Sequence, residues 1–336
     1  MLNFAIRRLL VAIPTLLFIS FVIFGILDLA PSDPTAQLPL TIPPEVREKI
    51  RESLGLGEPF LIRYLKWCET FFIHEPMYLL EQFTGYSFGD GERQRILSWS
   101  SRSPVMDLIA QSLPPTLWVV GMSYVIGVLI AIPIGVISAY KQYSWFDQLG
   151  TLFSMAGFSV PTFFTGLVLI IVFAVNLEWL PSVYDTTLEV TDLESFWLQV
   201  RQMIMPTTVL ALFNASQISR FMRASVLDNL NQDYVRTARA KGVREKWVLL
   251  VHVLRNSMIP VVTVIALGAP TVFGGAIITE QVFLVNGLGN LLIRSIQGSD
   301  IPTVQTITFL FAVLIVMFNL LADLLYGMLD PRIRYD

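Results

Sequence analysis

Residues 233–243 read DYVRTARAKGV and set Arg236, Arg239 and Lys241 around Ala238, Ala240 and Gly242, with Arg244 and Lys246 close behind. Small side chains let another backbone approach closely, and the surrounding cations give the patch a positive rim. Such a patch suits docking against a protein partner or resting against lipid headgroups. No catalytic constellation accompanies it: the chain contains no GxxxxGK[ST] phosphate loop, HExxH, GxSxG or CxxC. Cys68 is the single cysteine, which excludes an intrachain disulfide and a thiolate metal cluster. His74 and His252 lie far apart in sequence, so a histidine metal site is not expected. Three carboxylates, Asp28, Glu280 and Asp323, fall near the ends of apolar runs, where reach to water or headgroups makes a structural role the expectation over a proton relay. An elaborate basic loop without an energy-binding motif of its own implies work driven by a partner.

The elements that must position this loop follow from composition. Of 336 residues, 54% are hydrophobic and 15% charged, against about 25% charged in a soluble domain, and the mean hydropathy is +0.62. The charges leave six gaps of 18 or more residues, at 9–27, 108–140, 148–177, 202–219, 256–279 and 301–322. A crossing needs roughly 20 apolar residues, so each gap holds one helix. The fourth is the weakest, because Asn214 and Gln217 interrupt it. Runs such as LVLIIVFAV (167–175) lack the period-two alternation of a membrane barrel. The expected fold is an all-α integral membrane protein with six transmembrane helices, at 9–29, 108–140, 148–177, 202–222, 256–279 and 301–328.

The distribution of Lys and Arg sets the direction. Thirteen of them lie at 1–8, at Lys141, in 220–255 and at 329–336, whereas the opposite short loops, 178–201 and 280–300, hold only Arg201 and Arg294. Both termini and a loop at 223–255 are therefore expected in the cytoplasm. The 30–107 segment is too long for that rule and is expected outside, partly helical. Pro43 and Pro44 mark one helix start and Gly55 the position beyond its end. Phe60, Tyr64, Trp67 and Phe71 form one apolar face of a second helix, packed on exterior structure or lying at the lipid interface. Residues 84–103 read as a loop.

Residues 225–260, SVLDNLNQDYVRTARAKGVREKWVLLVHVLRNSMIP, resemble the ATPase-coupling (EAA) loop of ABC importer permeases in its dipeptide/oligopeptide/nickel form. Aligned on Gly242, the general pattern E-A-A-x3-G-x9-I-x-L-P places Arg236, Thr237 and Ala238 at E-A-A, and His252, Leu254 and Arg255 at I, L and P. The missing Glu, first Ala, Ile and Pro are replaced by RTARAKG and HxLRN, which characterise that branch. Blocks at 7–35, 54–67, 274–296 and 319–335 are similar to the family as well; residues 72–100 look like an insertion.

The resemblance implies a permease subunit, not itself an enzyme, in the cytoplasmic membrane of a bacterium or archaeon. Its implied partners are a second homologous permease, two cytoplasmic ATP-binding subunits and an extracytoplasmic substrate-binding protein, with no cofactor and no nucleic acid. Tyr234, Arg236, Thr237, Ala238, Ala240, Lys241 and Gly242 would couple to the ATPase, Ala238 and Ala240 as contact face and Gly242 permitting the turn. Asn214 and Gln217 are candidates for lining the pathway or for contact between helices. Gly268, Pro270, Gly274 and Gly275 are expected to allow close packing or a bend. Substrates of this branch range over peptides, nickel and other small solutes. An ion-coupled secondary transporter is the alternative, and would require ion-pairing residues at the bilayer midplane and an internal repeat. A scaffold or receptor without flux is a third reading.

Overall fold

The computed structural model describes residues 2–29, 43–53, 57–86, 94–273 and 276–329. Among them every regular element is helical, apart from an isolated bridge between Leu97 and Pro104. Helices satisfy their own backbone groups, as lipid requires. In chain order they are α1 (Leu2–Leu29), α2 (Pro44–Ser53), α3 (Phe60–Glu69), α4 (Glu75–Thr84), α5 (Val105–Thr116), α6 (Met122–Tyr140), α7 (Trp145–Ser159) and α8 (Thr162–Leu169). There follow α9 (Leu193–Leu230), α10 (Asp233–Ala240), α11 (Glu245–Trp247), α12 (Leu254–Gly268), α13 (Pro270–Phe273), α14 (Ile277–Val282), α15 (Leu288–Gln297) and α16 (Ile301–Leu329). Wider π-helical turns join α3 to α4, α5 to α6 and α11 to α12, and another extends α8 to Asn176.

Four stretches among the described residues are long and apolar enough to cross a membrane: Ile6–Leu29, Val105–Tyr140, Glu245–Gly268 and Ile301–Leu324. A fifth arises if Trp145–Ser159 and Thr162–Asn176, bent by 103°, count as one. The sequence predicts one continuous crossing at 148–177, and the bend has a local cause. Pro161 has no N–H to donate and forces the residue before it out of helical geometry. Val160 is accordingly extended, with φ −84° and ψ 125°.

The predicted crossing at 202–222 lies inside α9, which has 38 residues and is about 57 Å long at 1.5 Å per residue. It is less apolar than the four stretches above because it carries polar side chains, several of which protein covers. Ser216 and Ser219 are buried, and Ser219 Oγ lies 3.1 Å from Ser154 Oγ of α7. The predicted fifth crossing, 256–279, is interrupted. The helix begins earlier, at Glu245, and stops at Gly268, and α13 restarts with Pro270 at its first position. A Cβ on Gly268 would lie 2.5 Å from Tyr124 Oη, so close packing is the use of that glycine. Gly274 and Gly275 lie outside the described residues.

The chain forms two compact units. In the first, Met1–Val11, Leu113–Asn290 and Leu314–Asp336, α6 packs along α9 through small residues four apart: Gly127, Ala131, Gly135 and Ala139, all buried. A Cβ on Gly135 would sit 2.6 Å from Met222 Cβ and 2.7 Å from the Ser219 carbonyl oxygen. The two backbones therefore touch, an arrangement open only to small residues. Arg223 of α9 donates twice to Asp147 of α7, at 2.7 and 2.8 Å.

In the second unit, Ala12–Ser112 and Leu291–Val313, aromatic rings and buried carboxylates do the holding. α2 begins at Pro44 as expected; Gly55 lies outside the described residues. The predicted apolar face of Phe60, Tyr64, Trp67 and Phe71 packs on α1 and α16, and its helix continues through the π turn at Thr70–His74 to Thr84. Glu75 accepts from Arg95 and from the Ile96 backbone N–H, and Asp300 accepts from Ser98, Trp99 N–H and Thr303. These bonds order 94–104, which the sequence presents only as a loop.

Candidate functional site

The eight residues of α10 start with Asp233, an acid in the first turn where the helix dipole favours it. Their end is a complete Schellman motif. The Val243 N–H bonds the Ala238 carbonyl at 3.2 Å and the Gly242 N–H bonds the Arg239 carbonyl at 2.9 Å. Gly242 is left-handed at φ +75°, a conformation open to glycine without strain, and a Cβ there would meet nothing within 4 Å. The expected turn role of Gly242 thus has a definite geometry, at the end of a helix and facing open space.

α10 divides sharply into two faces. Val235 is fully buried and Ala238 is 6% exposed, both in one apolar cluster with Ala131 and Val136 of α6, Met222 and Val226 of α9, and Val261 of α12. Here the structure departs from the sequence expectation. Ala238 belongs to the inward seam that fixes α10 to the longer helices, and among the two alanines only Ala240 is exposed. The outward face carries Tyr234, Arg236, Thr237, Ala240, Lys241 and Gly242. Tyr234 donates to Asn229 Oδ1 at 2.6 Å, and Thr237 Oγ1 caps back onto the Asp233 carbonyl at 2.9 Å. Arg236 sits 3.5 Å from Asp233 with both side chains largely in solvent, so that pair adds little stability.

Three ties stiffen the surroundings. Arg239 donates through Nε and Nη2 to both oxygens of Glu245, at 3.1 and 2.7 Å, bracing the turn across Gly242. This hydrogen bonding holds the Arg239 guanidinium above its ordinary pKa. Ser225 of α9 and Ser257 of α12 each donate to the other's carbonyl, at 2.9 and 3.2 Å. The Asp147–Arg223 pair adds the third tie, from α9 to α7. Spacing alone does not reveal these partners, since each pair joins residues distant in sequence or across a turn.

The pathway candidates fare differently. Asn214 and Gln217 are half-buried on α9, and a Cβ on Gly127 would lie 2.9 Å from Asn214 Cβ, which puts Asn214 at the contact with α6. A cleft of about 270 Å³ opens at the α7–α8 bend, lined by Phe153, Ser154, Val160, Thr162, Leu212 and Ser216 among others, and neither candidate lines it. Of the three carboxylates near helix ends, Asp28 pairs with Arg63 at 2.6 Å and Asp323 with Arg8 at 2.5 Å. Glu280 is fully buried, contrary to the expected reach to water. Among the described residues no group of three or more His, Cys, Asp or Glu is placed to hold a metal ion.

Comparison with known proteins bears on what this surface serves. Residues 131–335 match the family described as binding-protein-dependent transport system inner membrane component, and residues 1–120 match its N-terminal membrane component. The chain is 39% identical over 336 residues to the oligopeptide transport system permease protein AppB of Bacillus subtilis, with all of both chains covered. It is 38% identical over 339 residues to the glutathione transport system permease protein GsiC of Escherichia coli K12, again over both whole chains. A solved amino acid ABC transporter with histidines shares 13% identity at a TM-score of 0.46, covering 66% of this chain and 94% of that one; the assignment rests on the sequence relatives. These relatives give the ion-coupled alternative no support. With its apolar helices and its full-length match to such permeases, the chain belongs to the binding-protein-dependent transport system inner membrane components and is a multi-pass permease subunit of an ABC importer.

Proposed function

We propose that this permease carries short peptides or similar small solutes, and that the outward face of α10 is where cytoplasmic ATP-binding subunits drive it. Two such subunits, a second permease of the same type and an extracytoplasmic binding protein complete the assembly in this reading, with ATP hydrolysis on the separate subunits. The six charge-free segments all cross the membrane of a bacterium or archaeon, α9 shielded by its neighbours, with both termini and the α10 loop in the cytoplasm. The Lys/Arg asymmetry of the short loops supports that direction. The printed names of the relatives, oligopeptide and glutathione permeases, favour peptide-like cargo.

One observation carries the coupling role: Val235 and Ala238 are built into the same core as α6, α9 and α12. A partner gripping Tyr234, Arg236, Thr237, Ala240 and Lys241 cannot move α10 without moving that core. Closure of the ATP-binding pair then becomes a change of helix arrangement, the two-state switch that alternating access requires.

The test compares two substitutions at Gly242 in the assembled complex. Both Gly242→Ala and Gly242→Trp force a side chain into left-handed geometry, at a cost of about 1–2 kcal/mol, but only Trp projects bulk outward. The chain itself leaves that space open. Gly242→Ala should retain most substrate-stimulated ATP hydrolysis and Gly242→Trp should abolish it. Normal stimulation with Trp would refute docking at this face.

A further inference from the structure

The helical arm formed by α3, the π turn at Thr70–His74 and α4 packs against two membrane-capable helices well inside their ends. The Tyr64 hydroxyl is 2.9 Å from Ser20 Oγ, and the Tyr64 ring lies 5.2 Å from that of Phe21. Ser20 and Phe21 stand nine and eight residues before Leu29, the end of α1, a depth of about 12–14 Å at 1.5 Å per residue. At the other end of the contact, Trp67 and Phe71 meet Phe309 of α16 at 5.5 and 5.1 Å between ring centres. Phe309 is eight residues into α16 from Ile301, again about 12 Å. One leaflet of hydrocarbon is about 15 Å deep. Two independent anchors thus set the arm at the level of acyl chains.

Its sides are sorted to match. Phe60, Tyr64, Trp67 and Phe71 face the protein. Leu61 and Leu65, four apart on one flank, are each 58% exposed, and Phe72, Leu80 and Phe83 continue the exposed apolar surface along the arm. The opposite flank carries Arg63, Lys66 and Thr70 at three- and four-residue spacing, with Arg63 paired to Asp28 near the end of α1 and Lys66 paired to Glu58. Exposed leucines on a helix that holds aromatic anchors inside and ion pairs on one side fit neither water nor a full crossing. We infer that the α3–α4 arm is an interfacial helix sunk in the leaflet at the C-terminal end of α1, with Leu61, Leu65 and Leu80 on lipid acyl chains and the Arg63–Lys66 flank at the headgroups. Phe18 and Val22 of α1 are exposed apolar side chains as well. The arm closes a lipid-facing wall between α1 and α16.

Spin labels test this in the full chain reconstituted in phosphatidylcholine nanodiscs. In a Cys68→Ser background, labels are placed by Leu65→Cys, Leu80→Cys and Lys66→Cys, with Phe18→Cys on α1 as the lipid reference. The ratio of collisions with oxygen to collisions with a water-soluble nickel chelate should be several-fold higher at 65 and 80 than at 66, and should match the reference. Leu65 and Leu80 are both exposed, so two separate sites report even where one variant folds poorly. Nickel-dominated collisions at 65 and 80 would place the arm in water, and shielding from both reagents would mean protein covers it; either result overturns the inference.

Discussion

Glu280 Oε2 accepts the backbone N–H of Asn290 at 2.9 Å, and its Oε1 accepts from Thr116 Oγ1 at 3.0 Å, with the carboxyl wholly removed from solvent. Thr116 Oγ1 in turn accepts the Leu288 N–H at 2.7 Å. One carboxyl thus caps the first turn of α15 and ties α14 to α5. No Lys or Arg pairs with it among the described ion pairs, and burial pushes its pKa above the ordinary glutamate value.

Two results follow for Glu280. Replacing it with Ala orphans the Thr116 and Asn290 donors, each at a cost of about 1–3 kcal/mol, and should lower the Tm of the detergent-solubilised protein by several degrees. The pH dependence has a definite sign. A carboxyl with a raised folded pKa contributes fully below its unfolded value, about 4.3, and its contribution is lost as pH rises through the folded pKa. Glu280→Gln removes that titration, so its Tm relative to the native protein should climb as pH increases from 4 toward 8. A constant difference across that range would contradict the raised pKa.

Arg223→Met should destabilise strongly, because it leaves Asp147 buried without its cation; breaking one partner of a buried pair costs about 3–5 kcal/mol. Adding Asp147→Leu to the same chain should recover much of that loss. Thermal melts of the two variants and the double variant give the comparison, and equal melts for Arg223→Met and the native protein would mean the pair holds nothing.

Gly135→Leu drives atoms into Met222 and the Ser219 carbonyl and should prevent α6 from seating on α9, seen as loss of folded protein on size-exclusion chromatography. Gly85→Ala meets no neighbouring atom and disturbs only its left-handed backbone (φ +74°), so it should lower Tm slightly while leaving the protein monodisperse. Similar behaviour for both would sink the close-contact account of α6 and α9.

Much of the architecture is legible from charge placement, because crossing lipid is mainly a demand on composition. α1 ends at Leu29, two residues past its charge-free run, and α16 starts at Ile301, where its charge-free run starts. α9 is blurred for a physical reason: protein, rather than lipid, covers Ser216 and Ser219, so the segment need not be apolar throughout. Pro161 carries a visible signal for the bend, and the residue before a proline is where to look for it. The inward turn of Ala238 was not legible. In RTARAKG two alanines lie two positions apart, on different faces of the helix, and only the core partners Val235, Met222 and Val226 decide which is buried. Glu280 escaped for the same reason, since its partners are Thr116, far away in sequence, and a backbone N–H that no side-chain pattern displays.

Ala240 offers the most direct test of the central claim that the exposed face of α10 receives the ATP-binding subunits inside the cell. With Cys68→Ser removing the native thiol, a cysteine introduced by Ala240→Cys is the only one in the chain. A membrane-impermeant maleimide should label it after permeabilisation but not in intact cells, and a short bifunctional cross-linker should join it to the ATP-binding subunit, with the yield changing when ATP is bound. Labelling from outside intact cells, or no cross-link in a complex that still transports, would contradict the account.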